Sequence, residues 1–365
     1  MHRFLPEKLK EKLPSGWNDT MFWTAALSGG KKIYFDYCCE FKTPKSYQPK
    51  VKVAPEFQLS PENIKFFYEN GYLGPFKLMS EDEAENLREY LLNSVVNTVP
   101  PQVDRSSYKF EETGNIAEDL LPESNLLTEE YKEYFSERFK TLNRHLDNST
   151  LLALFKRPEI VERCAQLLGP NLLLWRSRFF EIYPHSSGTQ WHQNSNWLYE
   201  NMRDSVVNPS DSSELFQLTC WIALTDANKE KGSMMVIPGT HQTIYPIQRG
   251  STLTDDNNLH LHSFGYGDID YPIDNTEKKL IEMKAGEFFL FTERVIHGSC
   301  ENTTDSSRWA VNFRLVKTDT RIYTEEMLEK GHKDTYHNVK NLCLDYWKAV
   351  LVRGEDHFGY NRLLK

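Results

Sequence analysis

AGEFFLF, residues 285–291, and VIHGS, residues 295–299, are the two neighbouring stretches that decide the fold. The first is a short apolar run that follows a glycine turn, and such a run predicts a buried β-strand. The second places a histidine, His297, just after that strand. A lone histidine in a half-buried strand is more often a hydrogen-bonded core residue than a metal ligand. This pair of stretches therefore predicts β structure, and it indicates chemistry only if further residues join it.

Strand-like segments recur on both sides of this pair. Each is apolar and bounded by Gly, Pro, Asn or Asp, and they cover residues 172–175, 178–182, 215–224, 234–237, 288–291 and 309–316. They follow a region with helix signals, and this order favours a jelly roll with helices packed outside. We predict a mainly β protein with a double-stranded β-helix (cupin-like) core and surrounding helices.

Three helices are predicted from their capping residues. One begins at Ser60, with Pro61 at the first helical position, and Gly71 ends it. A capping box of Ser80 and Glu83 begins the second, and the third covers residues 158–168. We expect an N-terminal arm over residues 1–58, packed on one domain over 59–365. The polar stretches 98–130, 200–214 and 245–279 are predicted to be surface excursions or long loops.

Composition excludes several classes of function. The chain has 365 residues, of which 39% are hydrophobic, and its 43 Lys and Arg against 52 Asp and Glu give a net charge of −9. This balance argues against a general nucleic-acid binder or an anionic-membrane protein. The six cysteines form no CxxC pair and are expected to be reduced thiols. Because the chain has no long apolar run, we expect a soluble cytoplasmic protein. An alternative that stays open is that a transit peptide was removed from a longer precursor.

The residues that most suggest a catalytic or metal site are concentrated in Thr189-Gln190-Trp191-His192-Gln193-Asn194. In an extended strand, residues two apart point to the same side, so His192 and Asn194 would face one shared point. A non-haem iron site needs two neutral imidazoles and a third group, and His297 supplies the second imidazole. Arg308, in the next strand, has the planar guanidinium that grips a carboxylate. HxN by itself is a weak motif, and only the ordered set of strand, HxN, His and Arg favours a metal site.

This ordered set resembles the iron(II)/2-oxoglutarate oxygenases of the phytanoyl-CoA dioxygenase-like superfamily, and within it the non-haem iron halogenases of the syringomycin type. The resemblance covers roughly residues 60–365. The matching stretches include Asn70-Gly71-Tyr72-Leu73-Gly74-Pro75-Phe76, Arg157-Pro158-Glu159-Ile160, Leu168-Gly169-Pro170-Asn171, Trp191-His192-Gln193, Thr225-Asp226-Ala227-Asn228, Ile237-Pro238-Gly239-Thr240, Ala285-Gly286-Glu287-Phe288 and Tyr360-Asn361-Arg362-Leu363.

The resemblance implies a role for each matching residue. His192 and His297 match the two iron-binding histidines, and Arg308 matches the arginine that binds the distal carboxylate of 2-oxoglutarate. Thr189 and Trp221 match positions near that co-substrate. Thr219 and Arg314 match positions that help to hold chloride through water in the halogenases.

Asn194 departs from the family pattern, in which ordinary members have Asp and the halogenases Ala or Gly. Three outcomes are open for this position. Asn194 is a neutral third iron ligand in an active oxygenase, or it swings away and admits chloride, or the chain is a silent relative or an engineered Asp-to-Asn variant. We favour the first, because both histidines and the arginine are intact.

The implied reaction is hydrogen abstraction from an unactivated C–H bond, with iron(II), O₂ and 2-oxoglutarate and with release of succinate and CO₂. We expect a small amino-acid-like substrate and ring closure, hydroxylation or desaturation. A resemblance to algal kainoid synthases would imply N-prenyl-glutamate, with Arg176, Arg178, Arg203, Lys231 and Arg294 as the nearest basic candidates. One alternative is a halogenase acting on an aminoacyl group tethered to a carrier protein. The non-enzyme alternative is a silent binding barrel.

Overall fold

The computed structural model describes residues 16–37, 40–98, 140–195, 204–248, 268–334, 339–342 and 344–365. The predicted excursion 98–130 lies outside these residues after position 98, as do parts of the loops 200–214 and 245–279. The helices are α1 (Asp19–Leu27), α2 (Pro61–Asn70), α3 (Glu81–Leu91), α4 (Ser149–Phe155), α5 (Pro158–Leu168) and α6 (Glu325–Lys330). The strands are β1 (Lys32–Ile33), β2 (Tyr72–Lys77), β3 (Leu172–Ile182), β4 (Val207–Asn208), β5 (Gln217–Ala223), β6 (Met234–Ile237), β7 (Ile247–Gln248), β8 (Asp268–Ile269), β9 (Lys279–Ile281), β10 (Glu287–Phe291), β11 (Ile296–Ser299), β12 (Arg308–Lys317), β13 (Arg321–Ile322), β14 (His332–Asp334), β15 (Val339–Leu342) and β16 (Val350–Arg353).

The three predicted helices begin at the predicted caps. Ser60 and Asn63 form a reciprocal capping box at the start of α2, and Gly71 ends that helix in the left-handed conformation with φ 85°. Ser80 and Glu83 form the box that begins α3. Pro158 occupies the first turn of α5. The starts of α2 and α3 are local in origin, because side-chain oxygens satisfy N–H groups that the first helical turn cannot pair. The start of α5 has no side-chain cap and depends on Pro158, whose ring fixes a helical φ.

The largest sheet has six strands in the order β16-β3-β12-β5-β10-β2, and a second sheet has the order β11-β6-β9. The strands do not close into one barrel in the described part of the chain. Residues 172–175 and 178–182, expected as two strands, form the single strand β3, because its whole length pairs with β12. The expected strands 215–224 and 309–316 are observed as β5 and β12, within two residues at each end.

The two faces of the large sheet have different surroundings. Its outer face packs on α2, α3, α4 and α5 through a large apolar cluster that includes Phe67, Leu91, Phe155, Leu218 and Phe313. Its inner face belongs to a second cluster, shared with the β11-β6-β9 sheet and containing Trp221, Phe289, Phe291, Val236 and Met283. Two of the candidate site residues contact this inner cluster: the His297 ring packs against Phe291, and Arg308 lies over Trp221.

The N-terminal segment contacts this body where it is described. Phe41 N–H donates to Gln242 O (3.1 Å), and Lys42 N–H donates to Ser213 O (2.8 Å). The boundary at residue 58 between an arm and a domain stays a prediction. Among the described residues, no helix combines the length and the apolar character needed to cross a membrane. Cys164, Cys220 and Cys300 are free thiols, whereas Cys38, Cys39 and Cys343 lie outside the described residues.

Candidate active site

The site is built on one antiparallel bridge between His192 and His297. The two residues exchange both backbone hydrogen bonds, at 2.9 and 3.0 Å. Their imidazole centroids lie 4.1 Å apart with the ring planes at 52°. His297 is 6% exposed and His192 is half-buried. The structure therefore brings together the two histidines that are far apart in the sequence.

Both imidazoles have the same hydrogen-bonded tautomer. His192 Nδ1–H donates to Gln190 O and His297 Nδ1–H donates to Val295 O, each at 2.8 Å. A carbonyl oxygen only accepts hydrogen bonds, so Nδ1 carries the proton and Nε2 carries the lone pair. Such a bond orients a metal-binding imidazole and raises its basicity. Burial, assisted by the neighbouring His192 and by Arg314, holds the pKa of His297 well below its ordinary value, so the ring is neutral.

The position of Asn194 differs from the one that a regular strand would give it. His192 lies on an isolated bridge and not in a continuous strand. The Asn194 N–H donates to Glu293 O at 2.8 Å, whereas a regular ladder would pair it with residue 295. Its Oδ1 accepts a hydrogen bond from Ser195 N–H at 2.8 Å. Asn194 stays in the neighbourhood of the two histidines, but its role as a third ligand stays a prediction.

Arg308 is a buried cation without a carboxylate partner in the described part of the chain. It is 2% exposed, its Nε–H donates to Gly232 O at 3.1 Å, and its Cζ lies 5.1 Å from the Trp221 ring centroid. Its Nη1 has no hydrogen-bond partner. Burial lowers its pKa to about 9, which still leaves it charged at neutral pH. A buried guanidinium of this kind is costly unless an anionic ligand completes it.

Thr219 and Arg314 share one partner that the sequence analysis did not include, the carboxylate of Glu293. Thr219 Oγ1–H donates to Glu293 Oε1 at 2.9 Å, and Arg314 Nε–H donates to the same oxygen. The predicted chloride role of these two residues stays untested, but in this structure both contact the protein's own carboxylate. Trp221 lies on the inner face, as expected for a position near the co-substrate.

Thr189 and Gln193 connect the HxN segment to its surroundings. Thr189 N–H donates to Ser299 Oγ at 2.7 Å, beside the strand that contains His297. The Gln193 amide donates to the carbonyls of Thr243 and Arg294, at 2.6 and 2.5 Å. Gln193 was missed as a structural residue, because nothing in the sequence distinguishes an inter-loop amide from a solvated one.

The basic candidates for substrate contact divide into three groups. Arg294 has a structural role, since its guanidinium donates to His241 O and Ser212 O and lies over the Phe41 ring. Arg176 and Arg178 lie on β3 opposite Arg314 and Asn312 of β12, so they share the inner face. Lys231 lies in a turn beside Asn302, and Arg203 lies outside the described residues.

Comparison with known proteins identifies relatives over most of the chain. The family described as "Phytanoyl-CoA dioxygenase (PhyH)" matches residues 67–310. The chain is 23% identical to phytanoyl-CoA dioxygenase domain-containing protein 1 of Danio rerio, over 73% of this chain and 94% of the relative. It is 23% identical to the peroxisomal phytanoyl-CoA dioxygenase of Homo sapiens, over 81% and 83%.

A solved structure described as CytC3 with Fe(II) and alpha-ketoglutarate is also similar. It is 26% identical in sequence, with a TM-score of 0.56, and the match covers 84% of this chain and 94% of that one. The neighbours are jelly-roll oxygenases, and this confirms the predicted fold class.

Proposed function

Because the chain belongs to the phytanoyl-CoA dioxygenase family, we propose that His192, His297 and Asn194 bind its iron(II) and that Arg308 binds the co-substrate. The family consists of dioxygenases that use iron(II), 2-oxoglutarate and O₂, and this chain is an enzyme of that kind. The assignment of residues and the choice of substrate are our proposal.

The single observation that supports the metal site most strongly is the His192–His297 pair. Two buried or half-buried imidazoles lie at contact distance, and both have Nε2 as the nitrogen with the lone pair. Neutral imidazole nitrogens are the ligands that non-haem iron(II) takes, together with an oxygen donor. Asn194 Oδ1 is a neutral oxygen of the required kind.

Arg308 supports the co-substrate site. Its unpartnered Nη1 and its burial fit a group with a carboxylate at the far end from the metal. The guanidinium provides two parallel N–H groups for such a carboxylate. The Trp221 ring beneath it, with Phe289 packed 6.0 Å away, keeps water from the ion pair.

When bound, iron(II) and 2-oxoglutarate supply, with O₂, the oxidising power that removes hydrogen from an unactivated C–H bond. The contribution of the chain is to hold these groups and exclude water. The Nδ1–H bonds fix the imidazole rings, Arg308 fixes the co-substrate, and Phe291 covers His297 with ring centroids 4.9 Å apart. Succinate and CO₂ leave as products.

For the substrate, we propose a small anionic amino-acid-like molecule that undergoes ring closure, hydroxylation or desaturation. The register supports this class, because Arg176 and Arg178 are half-buried and lie on the face that also contains Arg314, Asn312 and Trp221. Halogenation of a carrier-bound substrate is less favoured, because the side chain of Asn194 fills room that a halide would need.

The test is an anaerobic titration of the purified protein with Fe(II) and 2-oxoglutarate, followed by exposure to air with N-prenyl-glutamate and related dicarboxylic amino acids. We expect a 2-oxoglutarate-dependent visible band, and succinate release stimulated by the true substrate. His297→Ala should lose the band, and the exposed His185→Ala should keep it. A protein that takes up no iron would be the silent barrel, and a chloride-dependent product would establish the halogenase.

A further inference from the structure

Glu293 is a buried carboxylate at the edge of the candidate site. It lies between β10 and β11, is 3% exposed, and receives hydrogen bonds from Thr219 and Arg314 on Oε1. Gln217 Nε2 approaches Oε2 at 3.4 Å. These donors hold the carboxylate in one orientation, paired with the Arg314 guanidinium.

The backbone of Glu293 also holds the HxN segment. Its carbonyl accepts the N–H of Asn194 at 2.8 Å, and Gln217 Nε2 reaches both the Glu293 carboxylate and Ser195 O at 3.4 Å. Glu293, Asn194 and Ser195 line one small pocket. The backbone of residue 293 therefore holds Asn194, and its side chain is connected to the next residue, Ser195, through Gln217.

Arg314 places a positive charge on the inner face of the large sheet. On this face, Thr219 of β5 pairs with Arg314 of β12 on one side and with Phe291 of β10 on the other. The Phe291 ring in turn contacts His297. A guanidinium on this face repels a second cation placed nearby. A divalent ion at His297 would meet this repulsion unless an anion cancels it.

The proposed ligands cannot cancel it, because two imidazoles and one amide are neutral. We propose that Glu293 is a positioning residue that neutralises Arg314 and anchors Asn194, so that a divalent cation can bind a triad with no charge of its own. This inference rests on the proposed metal site. It assigns to Glu293 the removal of a repulsion that three neutral ligands cannot offset.

The experiment is an anaerobic Co(II) titration of the full chain, followed by its visible spectrum and by thermal unfolding. We expect Glu293→Gln, which keeps the shape and removes the charge, to weaken Co(II) affinity about 10- to 100-fold. The double variant Glu293→Gln with Arg314→Gln should recover affinity to within about threefold of the wild type, because charge balance returns. Glu214→Gln is the matched control, since Glu214 lines the same cavity without contacting Arg314, and it should bind Co(II) like the wild type.

Several outcomes would overturn the inference. Wild-type affinity in Glu293→Gln, or no recovery in the double variant, would leave Glu293 with a packing role only. If Glu293→Gln does not fold, Glu293→Ala with added formate replaces it, and failure of formate to restore Co(II) binding would also count against the inference. A wild-type chain that binds no Co(II) would instead remove the proposed metal site itself.

Discussion

His192 and His297 lie opposite each other on one antiparallel bridge, with ring centroids 4.1 Å apart. This approach depends on glycines in the two paired segments. A Cβ on Gly188 would lie 2.0 Å from Ser299 O, and a Cβ on Gly298 would lie 2.8 Å from Thr189 O. Both obstacles are backbone atoms, so neither can move without separating the segments that hold the histidines.

Gly188→Ala is therefore expected to move His192 away from His297 and to abolish Co(II) binding. Overpacking against the backbone should also reduce the free energy of unfolding by about 1–3 kcal/mol. Metal titration and denaturant unfolding measure the two effects. The neighbouring Ser187→Ala adds no Cβ and should change neither. Unaltered Co(II) affinity in Gly188→Ala would show that the two histidines need not be paired by the backbone.

Arg308→Met tests the co-substrate site, because it should weaken 2-oxoglutarate binding without reducing the stability of the ligand-free protein. Loss of the guanidinium should weaken 2-oxoglutarate binding by at least about 30-fold, because a buried ion pair is removed. Without ligand, the variant should be as stable as the wild type or more stable, because an uncompensated buried charge disappears. Added 2-oxoglutarate should raise the Tm of the metal-loaded wild type alone.

The control for this experiment is Arg321→Met. Arg321 is partly exposed and pairs with the exposed Glu325 at 3.0 Å, so its loss should change the free energy of unfolding by no more than about 1 kcal/mol. It should leave 2-oxoglutarate binding unchanged. Equal 2-oxoglutarate affinity in Arg308→Met and the wild type would exclude Arg308 from the co-substrate site.

Asn194 is tested by replacing it with Asp and with Ala. Asp keeps the acceptor for Ser195 N–H and adds a negative charge, so Co(II) affinity should rise about tenfold or more. Ala removes the oxygen donor, lowers affinity and opens room for a halide. Metal titration with and without chloride, together with product analysis, measures both effects. If neither variant changes metal affinity or product, Asn194 does not contact the metal.

Acid stability is expected to depend on His145. Its Nδ1 contacts Ser177 Oγ at 2.7 Å, its Nε2 is buried without a partner, and burial lowers its pKa to about 3. Between pH 6.5 and 3 the unfolded chain binds a proton that the folded chain excludes. The free energy of unfolding therefore falls as the pH falls through this range, by about 1.4 kcal/mol per pH unit for one proton.

His145→Leu should make this acid slope shallower, as measured by unfolding between pH 4 and 7 in the metal-free protein. His241, with a pKa lowered to about 4 by burial, retains part of the slope in the variant. An identical slope in His145→Leu would mean that His145 is protonated in the folded protein.

The local parts of the fold could be predicted because their causes are local. Ser60 and Ser80 satisfy unpaired N–H groups within one turn, and the run Phe288–Phe291 excludes water from both faces of a strand. The sequence separated 172–175 from 178–182 because Arg176 and Ser177 interrupt the apolar pattern, and Arg178 begins the second stretch. Only the pairing with β12 shows that both arginines continue the same strand on its inner face.

The amino-acid sequence by itself determined the caps of α2 and α3, the strands β3, β5, β6, β10 and β12, the family pattern, and the choice of two histidines and an arginine as candidates. Tertiary structure alone decided that Glu293 is buried against Thr219 and Arg314, that Arg308 has a hydrogen-bond donor without a partner, and that Asn194 leaves the regular ladder. In the sequence, Thr292-Glu293-Arg294 resembles a polar turn between two strands. Burial and charge pairing depend on residues from distant strands, and such neighbours exist only once the sheets have packed together.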